Sequence, residues 1–176
     1  YTIDPVRNFF DGMYKSTDAG TTWELVNMDD LSSVYASFGW FFGEVRVNPV
    51  NPDDVFCLGV PLYRSFNGGD DFFETTSGMH VDFHAMEFHP QNPDFIVAGN
   101  DGGVYISQDG GNNWDFVDNS PNNLIYNMTV DFQQPERLYC GLQDQGTIRT
   151  LTGNVDDFER ILGGDAAIDG VERADD

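Results

Sequence analysis

Basic side chains are scarce in this chain of 176 residues: 8 Lys and Arg stand against 30 Asp and Glu, a net charge of −22, and Lys15 is the only lysine. Affinity for nucleic acid comes largely from Lys and Arg neutralising phosphates, so a nucleic-acid partner is excluded. Long apolar runs are also missing. None approaches the roughly 18 residues that a membrane helix requires, and membrane insertion by a helix is not expected. No stretch at the start reads as a charged segment followed by an apolar one, so no signal peptide is visible. Cysteine is rare too, with 2 residues, Cys57 and Cys140, too few for a disulfide framework.

Glycine (19 residues), aromatic residues (14%) and aspartate are plentiful instead. Acidity is carried by 23 Asp against 7 Glu. Aspartate is a turn residue whose short carboxylate bonds nearby backbone N–H groups, so the excess points to many turns. A surface this acidic stays soluble by self-repulsion and suits salty surroundings, where screening softens that repulsion.

Two landmarks repeat. Ser16-Thr17-Asp18-Ala19-Gly20-Thr21-Thr22-Trp23 returns as Ser65-Phe66-Asn67-Gly68-Gly69-Asp70-Asp71-Phe72 and as Ser107-Gln108-Asp109-Gly110-Gly111-Asn112-Asn113-Trp114. Asn51-Pro52-Asp53 returns as Asn92-Pro93-Asp94 and Gln134-Pro135-Glu136. Both markers share a period of about 42 residues, the length of a four-stranded propeller blade. In the third unit the strands, lettered A to D, read as Ala85–Phe88, Phe95–Ala98, Gly103–Ser107 and Trp114–Val117, bounded by Pro, Gly, Asn and Asp clusters. The expected fold is all-β: a partial β-propeller of about four blades of four-stranded antiparallel sheet. Its units run over about 1–27, 28–76, 77–118 and 119–161, with 162–176 starting the next. Complete propellers have 4 to 8 blades. The chain therefore reads as part of a larger ring whose remaining blades are partners, and as an isolated arc it is expected to be unstable or to associate.

The Ser/Thr-x-Asp-x-Gly-x-x-Trp signature resembles the Asp-box, or BNR repeat, of sialidases, sortilin-type receptors and xyloglucan-hydrolysing endoglucanases. Two copies match fully, and the middle one departs at Asn67 and Phe72. With His80-Val81-Asp82-Phe83-His84, Asn100-Asp101-Gly102-Gly103 and Gly141-Leu142-Gln143-Asp144, the chain is most similar to bacterial sortilin-like, glycosyl-hydrolase-type BNR proteins. The resemblance implies a secreted, periplasmic or cell-surface location and a polysaccharide or protein ligand. The box itself reads as structural. Ser16, Ser65 and Ser107 with Asp18, Asn67 and Asp109 would satisfy turn N–H groups; Gly20, Gly69 and Gly111 would supply positive φ; Trp23, Phe72 and Trp114 would be buried under the turn.

By resemblance to propellers, ligands bind at the face of the B–C turns and D–A loops. Asp101 and Asp144 occupy matching B–C turns and are the only carboxylate pair that the sequence nominates for catalysis. A glycosidase needs two carboxylates about 5 to 5.5 Å or 6.5 to 9.5 Å apart. The competing reading of Asn-Asp-Gly-Gly is a hairpin turn. His80, Asp82 and His84 lie at i, i+2 and i+4, so an extended chain points all three to one side. Such a set raises a metal site, but residues two apart in a strand are about 6.6 Å apart and rarely converge on one ion. A polar, ligand-bonding lining is the reading carried forward, with no metal or cofactor assigned. Tyr35, Phe38, Trp40, Phe41 and Phe42 crowd the second D–A loop, either as a ligand platform or as inter-blade packing. Trp40 and Tyr126 complete the ligand-binding candidates. Sialidase activity is disfavoured, because the seven arginines include no Arg-Ile-Pro-type motif. Cys57 and Cys140 share one strand-B position two blades apart and are expected free and buried. The outcome left open is a binding scaffold, or a glycoside hydrolase working through Asp101.

Overall fold

The computed structural model describes residues 1–118 and 123–166. The start of the fourth repeat unit at 119–122, and the part of the final segment from 167 on, lie outside the described residues. Among those described there is no helix, and hence none long and apolar enough to cross a membrane. The chain divides into two compact units, Tyr1–Ser120 and Pro121–Asp176.

Among the described residues, fifteen strands form four antiparallel meanders. The first sheet is β1 (Thr2–Ile3), β2 (Phe10–Lys15) and β3 (Glu24–Asn27), three strands of a blade that the sequence enters late. The second is β4 (Glu44–Val47), β5 (Val55–Leu58), β6 (Leu62–Ser65) and β7 (Phe73–Glu74). The third is β8 (Phe83–His89), β9 (Asn92–Asn100), β10 (Gly103–Ser107) and β11 (Asp115–Phe116). The second unit holds the fourth: β12 (Ile125–Val130), β13 (Leu138–Leu142), β14 (Gly146–Thr150) and β15 (Glu159–Leu162). Each strand pairs with its sequence neighbour, as short Gly, Asn and Asp turns permit. This is a run of propeller blades.

Strand β5 shows why the blades stack. Side chains alternate across a strand, so Val55 and Cys57 enter the core against the first sheet, with Phe10, Met13, Tyr35 and Phe72. Phe56 and Leu58 enter the opposite core, with Phe83, Met86, Ile96 and Ala98 of the third sheet. A strand covered on both faces reads as a continuous apolar run, and Val-Phe-Cys-Leu is buried throughout.

Polar staples cross the same junctions. Between the first and second sheets, Asp30 accepts the Phe72 N–H and the Asn27 side-chain amide, both at 2.9 Å, and Asn27 also donates to the Asp70 carbonyl at 3.1 Å. Between the second and third, Arg64 donates to both oxygens of Asp54, at 2.8 and 3.1 Å, and to Asn112 Oδ1 at 3.3 Å. Its guanidinium carbon lies 4.6 Å from the Phe56 ring centroid and 4.3 Å from that of Phe66. Arg64 and Asp54 are both buried.

The three boxes share one hydrogen-bond pattern. Each serine hydroxyl accepts the N–H of the box glycine, at 2.8 Å for Gly20 and Gly111 and 2.9 Å for Gly69. The residue two after the serine accepts the serine hydroxyl proton and an N–H further along the turn, at 2.8 Å for Thr22 on Asp18 and 2.9 Å for Asn113 on Asp109. Asn67 does the same for Asp71 at 3.0 Å, so a carbonyl oxygen replaces the carboxylate without loss of the turn. A fourth turn of this kind, unmarked by the signature, closes β14: Thr150 accepts the Gly153 N–H at 2.9 Å, and the Thr150 and Thr152 hydroxyls both donate to Asp157.

Burial of the box aromatic needs correcting for Trp23. Phe72 is 7% exposed and Trp114 is half-buried, whereas Trp23 is 62% exposed, its indole N–H held by the Gly20 carbonyl at 3.2 Å. Phe72 belongs to the core between the first and second sheets, and Trp114 packs on that between the second and third. Within its unit, Trp23 belongs to neither core, so the box fixes the turn but a neighbouring sheet covers the ring.

The box carboxylates predict acid sensitivity. Hydrogen bonds from the Asn113 amide and N–H, with the Ser107 hydroxyl and Asn112 N–H, hold Asp109 down at about 2 from an ordinary 3.8. Bonds from Thr22 and Ser16 likewise lower Asp18. A depressed carboxylate stabilises the fold fully above its unfolded value and loses that contribution as pH falls through the folded one. The melting temperature is expected to fall between about pH 4 and 2, and thermal melts across that window should show a shallower fall for Asp109→Asn. An unchanged slope would remove Asp109 from the acid transition.

Candidate functional site

The D–A loop before β4 is hung on the turn between β5 and β6. The Val60 N–H donates to the Val34 carbonyl at 2.8 Å, and a Cβ on Gly59 would lie 2.1 Å from that carbonyl, so the close approach demands glycine there. The loop divides its aromatic residues between two roles. Tyr35 and Phe42 are buried in the core, whereas Phe38, Trp40 and Phe41 are exposed, Trp40 at 66%. Packing thus accounts for two of the five rings and leaves three exposed.

The next D–A loop repeats the suspension. Asp82 and Phe83 donate their N–H groups to the carbonyls of Val60 and Gly59, both at 2.8 Å. Asp82 takes a φ of +66°, and β8 starts only at Phe83. The chain from His80 to His84 is therefore not extended, and the expectation that His80, Asp82 and His84 align on one side of a strand is corrected. His80 is held elsewhere: its N–H donates to the Tyr105 hydroxyl at 3.0 Å and its carbonyl accepts the Asn100 amide at 2.6 Å. Among the described residues, no group of three His, Cys, Asp or Glu side chains is placed to hold a metal.

His84 points instead to the turn between β9 and β10. That turn is a two-residue hairpin, with Asn100 paired to Gly103. Asn100 Oδ1 accepts the N–H groups of Gly102 and Gly103 at 3.0 and 3.1 Å. Asp101 is the first residue of that turn. Its N–H donates to the Asp82 carbonyl at 3.2 Å, and its Oδ1 lies 2.6 Å from His84 Nε2. An ionised carboxylate only accepts, so Nε2 carries the proton of this bond.

The His84 ring meets the aromatic loop. The His84 ring stacks on Phe42 at 5.3 Å and 22°, and meets Phe41 edge-on at 5.0 Å and 70°. Phe41 in turn lies 5.4 Å from Trp40 at a tilt of 44°. Trp40, Phe41, His84 and Asp101 therefore form one continuous surface in the first unit, drawn from a D–A loop, the start of a strand A and a B–C turn. Sequence reasoning named its members but not their contact, and it placed His84 with His80 rather than with Asp101.

The remaining candidates belong to the second unit. Asp144 sits in the β13–β14 turn with a φ of +56°, and its N–H donates to Asp165 Oδ1 at 2.9 Å. Tyr126 is exposed on β12. Cys57 and Cys140 are free and buried, one in each unit.

Comparison with known proteins supplies kinship. The chain is similar in structure to the GH74 enzyme of Niastella koreensis, with 21% identity and a TM-score of 0.52 over 81% of this chain and 24% of that one. It is also similar to an ancestral GH74 enzyme, at 21% identity and a TM-score of 0.48 over 93% of this chain and 24% of that one. The GH74 xyloglucanase from Xanthomonas campestris follows at 15% identity and a TM-score of 0.48, over 80% of this chain and 25% of that one. The chain spans about a quarter of the length of these structures. No curated protein matches it. The family described as Sortilin, neurotensin receptor 3 matches residues 11–156, so the three boxes, the blade-by-blade meander and this match agree that the chain belongs to the Sortilin-Vps10 family of Asp-box β-propellers.

Proposed function

We propose that this chain is a ligand-binding segment of an exported propeller, which holds a glycan or a protein on the surface formed by Trp40, Phe41, His84 and Asp101. One observation carries the reading: Trp40 is 66% exposed yet tied through Phe41 and His84 to the Asp101 carboxylate 2.6 Å from the imidazole. Large exposed aromatics beside fixed polar groups are what recognition surfaces use. Rigid loops suspended on the adjacent turns keep the rings in place without a ligand. Export and the remaining blades belong to the same proposal and rest on the family resemblance.

The test is binding with Trp40 as reporter. Xyloglucan oligosaccharides and short peptides are titrated against the chain, and Trp40→Ala is expected to weaken whichever ligand binds by about tenfold, the scale of one lost aromatic anchor. Undiminished binding by that variant moves the site elsewhere. Release of new reducing ends from xyloglucan, abolished by Asp101→Asn, would replace the binding scaffold with the hydrolase reading.

A further inference from the structure

We propose that Asn67-Gly68 is a modification site: Asn67 loses its side-chain amide by deamidation when the middle box opens, and the box that carries the product closes less well.

Asn67 is followed by glycine, and this is the only Asn-Gly pair in the chain. Deamidation begins when the backbone nitrogen of the next residue attacks the asparagine Cγ, and glycine, with no side chain, leaves that approach open. The Gly68 nitrogen gives its proton to solvent base and bonds to Cγ; the Cγ–Nδ2 bond breaks, and Nδ2 takes up a proton and leaves as ammonia. Water then opens the succinimide ring at either carbonyl, to aspartate or to isoaspartate, whose main chain runs through the side-chain carbon. Water and base are the only co-reactants, and Asn67 is exposed to both.

The closed box keeps the reacting atoms off this path. The Gly68 N–H donates to the Asp53 carbonyl at 2.9 Å, and Gly68 is itself buried. Asn67 Oδ1 accepts the Ser65 hydroxyl proton at 2.8 Å and the Asp71 N–H at 3.0 Å, while Nδ2 donates to Asp71 Oδ2 at 2.8 Å. Attack on Cγ requires these bonds to be released, so the reaction waits on local opening of the turn.

The product fits badly because this box is wired in reverse. In the first box the Thr22 hydroxyl donates to Asp18 Oδ2 at 2.7 Å, and in the third the Asn113 amide donates to Asp109 Oδ2 at 2.6 Å. Each pairs a carboxylate two residues after the serine with a donor four residues further on. In the middle box the donor is Asn67 and the carboxylate is Asp71. An aspartate at position 67 therefore meets Asp71 as a second carboxylate with no proton between them, which costs stability. Isoaspartate adds a main-chain atom between Ser65 and Gly69, whose N–H is held by the Ser65 hydroxyl at 2.9 Å. The damage falls on a blade junction, since Phe72 of the same box shares its core with Tyr35 and Phe42.

The experiment incubates the full chain in mildly alkaline buffer, folded and in urea, and follows aspartate and isoaspartate at position 67 by peptide mass mapping. The folded chain is expected to react at least about tenfold more slowly than the unfolded one. Ser65→Ala, which removes one of the bonds on Oδ1, should speed the folded reaction and leave the rate in urea unchanged. Equal rates in the folded and unfolded wild-type chain would overturn the protection. Thermal melts test the product: Asn67→Asp should melt below the wild type, and Asn67→Asp/Asp71→Asn, which restores the wiring of the third box, should recover most of the loss. Asn67→Asp as stable as the wild type, or a double variant no better than the single one, would overturn the misfit.

Discussion

Arg64→Met is expected to destabilise the first unit by about 3–5 kcal/mol, the cost of breaking a buried ion pair. Arg64 is 5% exposed and Asp54 4%, so the substitution leaves a carboxylate in the interior with its main donors gone. The two bonds at 2.8 and 3.1 Å are bidentate, and the guanidinium is also held between Phe56 and Phe66. Asn112, in the box of the third sheet, loses its partner as well. The drop should appear as a fall in melting temperature of roughly 10 °C for a chain of this size. Removing both charges in Asp54→Leu/Arg64→Met should recover much of the loss, because no unpaired charge then remains. A single-variant loss under about 1 kcal/mol would mean that the pair behaves like an exposed one.

Phe56→Ala should cost a similar amount, about 3–5 kcal/mol, for a different reason. The ring is fully buried, 6.0 Å from Phe88, and closes the floor of the third box: a Cβ on Gly111 would lie 2.8 Å from its Cζ. Truncation therefore opens a cavity at the point where a strand of one blade supports a turn of the next. It also removes one of the two rings against Arg64. Urea unfolding should show a lower midpoint with an unchanged slope, the mark of lost stability alone. An unshifted midpoint would show that the junction collapses onto the gap.

Much of this fold is legible in the sequence because its information is local. Ser, Asp or Asn, and Gly at fixed offsets specify a turn from within eight residues, and the recurring Asn-Pro-Asp and Asn-Pro-Asp/Gln-Pro-Glu landmarks mark the repeat. What the sequence hides depends on neighbours. The box aromatic at Trp23 has the same local pattern as Trp114, yet burial is decided by which sheet lies alongside. Arg64 reads as an ordinary polar residue on a short strand until the Asp54 partner ten residues away is known. The fourth turn is missed because its carboxylate, Asp157, comes from beyond the signature spacing.

The candidate site divides in the same way. Asp101 is visible from its hairpin, and the exposed rings are visible as a cluster. The contact of His84 with Asp101 spans 17 residues and depends on the positive φ of Asp82, which no spacing rule announces. Alternation in an extended chain grouped His84 with His80, and one left-handed residue is enough to undo that grouping.

The buried cysteines make the molecule its own clock. Burial raises the Cys57 thiol to about 12 and pushes Cys140 upward as well, so neither offers alkylating reagents the thiolate that reacts. Each becomes reactive when its surroundings open, and each lies in a different unit. Timed alkylation, followed by peptide mass mapping, thus records two opening rates from one unlabelled sample, and any ligand seated in the first unit will slow the Cys57 clock before it touches the other.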